Sequence, residues 1–194
     1  NMKRAFINGK HVHVVMFNIG NYLTVRTMLG YETTETMLLV IAGKLREINK
    51  KLRRHAVLYY LDRGRFRMVF SEKDRLSAET AAQEVLDTFS KRLHFKSIDI
   101  SLVPCVILAR CPEEIESFAS LMSFGNNFHE KFHCTDHYLP ASATYNPDES
   151  DIQANIDSII ANAIDNDKFE IYYQPIYSVR QKKFASAEAL LRLA

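Results

Sequence analysis

Cysteine is sparse in this chain of 194 residues: there are three, Cys105, Cys111 and Cys134, far apart and without a C-x-x-C spacing. An odd count with no paired motif and no secretory segment argues against a disulfide framework and for reduced thiols in a cytoplasmic setting. An excess of one charge is missing too. Twenty-five basic and 23 acidic residues leave a formal charge of +2, too little for the basic face that bulk nucleic-acid binding requires. No apolar run approaches the roughly 18 residues that span a bilayer. The opening Asn1-Met2-Lys3-Arg4-Ala5-Phe6 lacks the charged-then-apolar layout of a signal peptide. A sensor or membrane segment upstream in a longer parent protein is left open. Repeats and low-complexity stretches are absent as well.

A hydrophobic content of 47% over this length suffices for one full core and a little more, hence one domain plus an appendage. His11 to Ile19, rich in Val, Met and Phe and closed by Gly20, reads as a buried strand. Glu35 to Lys51 carries Met37, Leu38, Ile41, Leu45 and Ile48 at helical spacing, continued by Leu52. Ala56–Asp62 and Phe66–Ser71, separated by an Arg-Gly-Arg link, give a β-hairpin signal. Ser77 is the expected cap of a second helix with Ala82, Val85, Leu86, Phe89 and Leu93 on one face. Ile98 to Ala109 reads as a strand with Pro104 inside it, which implies a bulge or an edge. Pro112 is expected to open a third helix bearing Ile115, Phe118, Leu121 and Met122. The order β-α-β-β-α-β-α licenses an α+β fold.

Pro140 to Pro147 is the best linker candidate. After it, Ser150-x-x-Gln153 is a capping box for a helix carrying Ile152, Ile156, Ile159, Ile160, Ala163 and Ile164. The strands Phe169–Ser178 and Ala185–Leu193 follow, joined by Val179-Arg180-Gln181-Lys182-Lys183.

Tyr172-Tyr173-Gln174-Pro175-Ile176-Tyr177 followed by Glu188-Ala189-Leu190-Leu191-Arg192 resembles the opening of an EAL domain, the family that hydrolyses the bacterial second messenger cyclic di-GMP. The match covers roughly residues 150–194. An EAL domain is a TIM-type barrel, which takes about 250 residues, so the resemblance implies that only its first helix and first two strands are present here. Aligned backwards from that point, residues 1–145 resemble a GGDEF (diguanylate cyclase) domain, mainly an antiparallel sheet flanked by helices, with 146–194 as the incomplete EAL part.

The cyclase motifs have decayed. Asp62-Arg63-Gly64-Arg65-Phe66 stands where that family has GGDEF, and Asn18-Ile19-Gly20-Asn21-Tyr22-Leu23 where it has the metal-binding D-x-D-x-F-K. Arg26-Thr27-Met28-Leu29-Gly30-Tyr31 replaces N-D-x-x-G-H, keeping the helix-initiating Gly30. The main carboxylate positions thus carry Asn18 and Gly64, with Arg65 in place of a glutamate. An arginine for a carboxylate changes the charge facing a cation by two units, each on the order of 4 kcal/mol at about 4 Å and an effective dielectric near 20. Metal-dependent cyclisation is expected to be lost. The product-binding R-x-x-D becomes Arg53-Arg54-His55-Ala56, without its aspartate.

Arg63, Arg65 and Arg67 alternate and would share one face of a regular strand, with Arg26 near. They read either as a metal-free sensor of GTP or another anion or as a solvated basic edge that discourages aggregation. His129, His133 and His137 would align on a helix as metal ligands, with Cys134 among them, or else are solvated side chains at a helix terminus. In the EAL part the resemblance makes Glu188 a catalytic ligand to one of two Mg²⁺ or Mn²⁺ ions and gives Gln174 and Arg192 to cyclic di-GMP, Arg192 toward a phosphate. Taken alone, Glu188 would pass for a strand-end acid. No metal is expected in this segment by itself.

Three functions compete: a parent phosphodiesterase that makes linear pGpG, with the GGDEF-like part as regulatory or dimerising scaffold; an inactive cyclic di-GMP receptor; and a nucleotide-sensing GGDEF-like domain that drives its neighbour. The apolar strands of residues 150–194 are expected to be partly disordered, folded back on the first domain, or paired with the same segment in a homodimer.

Overall fold

The computed structural model describes residues 11–130, 132, 137–147, 160, 163, 164, 166 and 168–193. The chain separates into two compact units, Asn1–Asp151 and Ile152–Ala194, against an expected boundary at 145/146.

In the first unit, β1 (Val12–Ile19) is buried at every position, because it lies inside the sheet and both of its faces are covered. Val15, Phe17 and Ile19 join one apolar cluster; Val12, Val14 and Met16 join another on the opposite face. The first cluster is closed by α2 (Tyr31–Lys51), through Met37, Leu38, Ile41, Leu45 and Ile48, and by α3 (Arg75–Phe89), through Ala78, Ala82, Val85 and Phe89. The second is closed by α4 (Phe118–Asn127), through Leu121 and Phe124. Helices therefore pack on both sides of a sheet ordered β2-β3-β1-β6-β7. In it β2 (Val57–Tyr60), β3 (Arg65–Ser71), β1 and β6 (Pro104–Cys111) each run antiparallel to their neighbours, and β7 (Leu139–Pro140) is parallel to β6. The fold is the expected α+β one with a mainly antiparallel sheet.

Several local expectations need correction. A short helix, α1 (Tyr22–Leu29), precedes α2, and Gly30 between them takes φ 76° and ψ 168°, a glycine conformation. Ser77 lies inside the first turn of α3, whose N-cap is Asp74. Leu93 belongs to a small hairpin, β4 (Leu93–Phe95) with β5 (Ile98–Ile100), rather than to α3. Pro104 makes neither bulge nor edge: it is the first residue of β6, where its missing N–H costs least. Pro112 follows a cis peptide bond in a turn, and α4 starts only at Phe118, where the Ser117 hydroxyl accepts from Ser120 N at 2.9 Å. The linker candidate is partly built in, since Pro140 closes β7 and Ala141 is fully buried. Cys105 and Cys111 are free and buried, and burial pushes the Cys111 thiol up to about 12; Cys134 lies outside the described residues.

Gly43 sits within α2 with nothing within 4 Å of an added Cβ. Gly43→Ala is expected to stabilise the protein by about 0.5–1 kcal/mol, read as a higher urea midpoint at unchanged slope.

In the second unit, β8 (Phe169–Ser178) and β9 (Lys183–Leu193) pair antiparallel, with a bulge at Ile176/Tyr177. Neighbouring strands of a regular (β/α)8 barrel run parallel with a helix between them, so the strand pairing does not carry the barrel expectation, which rests on the motif residues. The helix expected from Ser150 lies outside the described residues apart from Ile160, Ala163 and Ile164, which are helical.

Candidate functional site

β1 ends beside the start of β3, with Asn18 opposite Arg65 on one side and Cys105 on the other. The β2–β3 connection is tight: Arg65 N donates to Asp62 O at 2.8 Å, and Arg63 and Gly64 both have positive φ, 44° and 72°, the signature of a type I′ hairpin turn. Ile19 N donates to Gly64 O at 3.1 Å and ties this turn to the end of β1. Asn18, Gly64 and Arg65 thus meet, as the cyclase resemblance implies, and Phe66 is buried against Phe17, ring centroids 5.8 Å apart.

What they build is a closed plug. Asn18 is 1% exposed; its Nδ2 donates to Gly125 O at 2.9 Å and lies 3.1 Å from His129 Nδ1, while its Oδ1 accepts from Arg67 Nη1 at 2.9 Å. Arg67, also 1% exposed, donates further to Phe66 O at 2.7 Å and to Gly125 O. Arg65 holds Asp62 through Nε at 2.9 Å and reaches Asn126 O at 3.4 Å. Gly125 and Asn126 lie in the last turn of α4, whose free carbonyls form the negative end of the helix dipole. The two guanidiniums therefore cap the C-terminus of α4. Burial, with Arg65 adding to it, pushes the Arg67 guanidinium down to about 9, so it remains charged at neutral pH with no carboxylate among the described residues in contact with it.

This geometry revises the arginine reading. Arg63 is in the turn and exposed, Arg67 is enclosed, and Arg26 lies over the Tyr31 ring, 5.2 Å from its centroid. The three alternating arginines do not form one anion-gripping face, nor is Arg67 a solvated edge: β3 is interior, between β2 and β1. The set also does not fit a divalent cation, because it offers one amide, one glycine and two cations where a hard metal needs oxygen anions. The expected histidine cluster falls partly outside the described residues. His129 faces Asn18, His133 and Cys134 lie outside the described residues, and no group of three metal-ligating side chains exists among those described. Reading the chain alone missed Gly125 and Asn126 as partners of the arginines; the signal available was an arginine between Phe66 and Met68 in an otherwise apolar strand.

Burial holds the His129 imidazole below 6.5, and Arg65 and Arg67 add to this, against Glu130 and a main-chain hydrogen bond at Asn126. With the folded value below the unfolded one, the unfolded chain takes up the proton first, so stability falls as pH drops from 6.5 through the folded value. His129→Gln is expected to flatten that part of the stability–pH profile, measured by urea unfolding across the acid range.

Away from the plug, Lys51, Arg53, Arg54 and Lys73 line a cleft of about 410 Å³, in which Arg54 Nε lies 3.8 Å from Asp74. The R-x-x-D remnant thus has a cationic surround although its aspartate is gone.

On the β8–β9 hairpin, Gln174 stands directly opposite Glu188, Tyr172 opposite Leu190, and Glu170 opposite Arg192. Cross-strand partners share a face and faces alternate by two, so Gln174, Glu188 and Arg192 all lie on one exposed face. Glu188 and Arg192 are about 13 Å apart along the strand. Glu188 is the one carboxylate at the centre of this face, which is too few for a two-metal site; the described residues alone do not fit the metal pair.

The first unit has the fold of GGDEF domains. Its sequence is far from theirs: it is similar to the structure of an EAL/GGDEF domain protein from M. capsulatus, at 17% identity over 73% of this chain and 94% of that one, TM-score 0.57. The GGDEF domain of TpbB (YfiN) from Pseudomonas aeruginosa gives 15% identity over 82% and 90%, TM-score 0.58. The S helix–GGDEF–EAL form of LapD from Vibrio cholerae, bound to c-di-GMP, is matched over all of this chain and 45% of that one at 13% identity and TM-score 0.51. A curated protein, the signaling protein YkoW of Bacillus subtilis (strain 168), shares 43% identity over 42 residues, 22% of this chain and 5% of YkoW. No family model matches the chain.

Proposed function

We propose that this chain is part of a bacterial cyclic di-GMP signalling protein in which the GGDEF-like unit makes no cyclic di-GMP and serves as a regulatory, dimerising scaffold. In this reading the EAL-like segment opens a domain that hydrolyses cyclic di-GMP to pGpG in a longer parent protein. The observation that carries it is the plug: where the resemblance calls for metal-holding carboxylates, Asn18, Arg65 and Arg67 spend their polar atoms on the end of α4. The common face of Gln174, Glu188 and Arg192 supports the second half.

The test has two arms. GTP with Mg²⁺ or Mn²⁺ is expected to give no cyclic di-GMP with this protein, and product from clean protein would overturn the scaffold reading. The parent carrying a complete EAL domain is expected to make pGpG and to lose that activity on Glu188→Ala, because a two-metal centre would not survive loss of one of its carboxylate ligands. The cationic cleft at Arg53 and Arg54 favours a second reading, a receptor that binds cyclic di-GMP or GTP without turning it over. Calorimetric titration of both nucleotides, with Arg53→Ala as control, separates the two: tight binding lost in Arg53→Ala, with an inert parent, selects the receptor.

A further inference from the structure

At the other end of β1 from the plug, His13 stands directly opposite Arg110 of β6, so both side chains leave the sheet on the face that α3 covers. The His13 residue is 8% exposed, and its Nε2 lies 3.0 Å from Glu72 O. A carbonyl only accepts, so Nε2 carries the proton and Nδ1 is left as an acceptor. That Nδ1 is buried and has no hydrogen-bond partner, an arrangement that costs about 1–3 kcal/mol unless a donor arrives.

The ring lines a cavity of about 190 Å³ together with Arg75, Glu79, Arg110, Glu114 and Tyr138. The charges there balance, two guanidiniums against two carboxylates, and they are paired: Arg75 Nε to Glu79 at 2.7 Å and Arg110 Nη2 to Glu114 at 2.9 Å. Glu114 is nearly enclosed, with 7% of its side chain exposed, and its other oxygen accepts from Arg110 N at 2.8 Å. Arg75 spends only Nε on Glu79, which leaves its terminal nitrogens for a second anion. A balanced set of paired charges favours neither a free anion nor a free cation. The volume is below the roughly 300 Å³ at which sites for drug-sized ligands begin, too small for a nucleotide.

We propose that this cavity binds a small zwitterion with an ammonium and a carboxylate a few bonds apart, the chemistry of a free amino acid. The ammonium donates to His13 Nδ1 and Glu79, and the carboxylate takes the terminal nitrogens of Arg75. The site is independent of the plug and of the EAL-like hairpin.

Titration of the protein with the proteinogenic amino acids, followed by the ¹⁵N resonances of the His13 ring, tests this, with acetate and methylammonium as half-molecules. At least one amino acid is expected to saturate in the millimolar range or below, to shift the Nδ1 resonance and to raise Tm, while neither half-molecule does so at the same concentration. Arg75→Gln, at a side chain 65% exposed, is expected to weaken that binding roughly tenfold or more with the unliganded Tm nearly unchanged. A ring signal that no amino acid moves, equal responses to the half-molecules, or undiminished binding in Arg75→Gln would each overturn the proposal, the first leaving a hydrated cavity only.

Discussion

Arg67→Ala is expected to lower the unfolding free energy by about 3–5 kcal/mol, a large fraction of the stability of a domain this size. The loss has two parts. Removing the guanidinium takes the charged donor from Asn18 Oδ1, Phe66 O and Gly125 O, of which Gly125 O keeps Asn18 Nδ2, and a buried acceptor left stranded costs about 1–3 kcal/mol when water cannot reach it. Removing the stem opens a hole against Met16 and Gly125, which now approach so closely that a Cβ on Gly125 would sit 2.8 Å from Arg67 Nη2 and 2.9 Å from Met16 Sδ. Denaturant unfolding at unchanged slope gives the number. A loss under about 1 kcal/mol would mean that Arg67 behaves as a surface charge and that the plug is open to water.

Gly64→Ala is expected to cost about 2–4 kcal/mol. Its φ of 72° lies in the left-handed region, where a Cβ costs about 1–2 kcal/mol. The added atom would also lie 2.9 Å from the Tyr22 ring and 3.0 Å from Ile19 Cδ1, and both side chains are buried, so relief requires core movement at about 1–3 kcal/mol. At Gly30, whose φ 76° and ψ 168° fall in a different, glycine-only region and where nothing lies within 4 Å of the new atom, any loss on substitution by alanine is backbone strain alone. A loss at Gly64 under about 1 kcal/mol would show that neither its backbone conformation nor the packing against Tyr22 and Ile19 resists the added atom.

Much of the fold was legible in the residues because it is written in short-range periodicity. The buried run of β1 and the stripe Met37, Leu38, Ile41, Leu45 and Ile48 of α2 follow from repeat and side-chain type. The β2–β3 turn, with glycine at one of two positive-φ positions, follows from backbone sterics. The pairing of Gln174 with Glu188 was not legible: the turn, with Ser178 opposite Lys183, would by itself set Gln174 against Ala187, and the bulge at Ile176/Tyr177 moves the register by one.

Elements near their own competing signals were not legible. α1 is eight residues long, too short for its period to stand out. Pro112 offered a helix start that Ser117 took instead, because a hydroxyl that satisfies a free N–H outweighs a favourable φ. The site turned on contacts at long range. The sequence by itself determined that Asn18, Gly64 and Arg65 bring no carboxylate to the end of β1 and the β2–β3 turn, which is a matter of residue type. Only the tertiary structure decided what is built there: Arg67 meets the end of α4 at Gly125, 58 residues away, and whether an arginine is a solvated hook or a buried cap depends on what the fold brings over it.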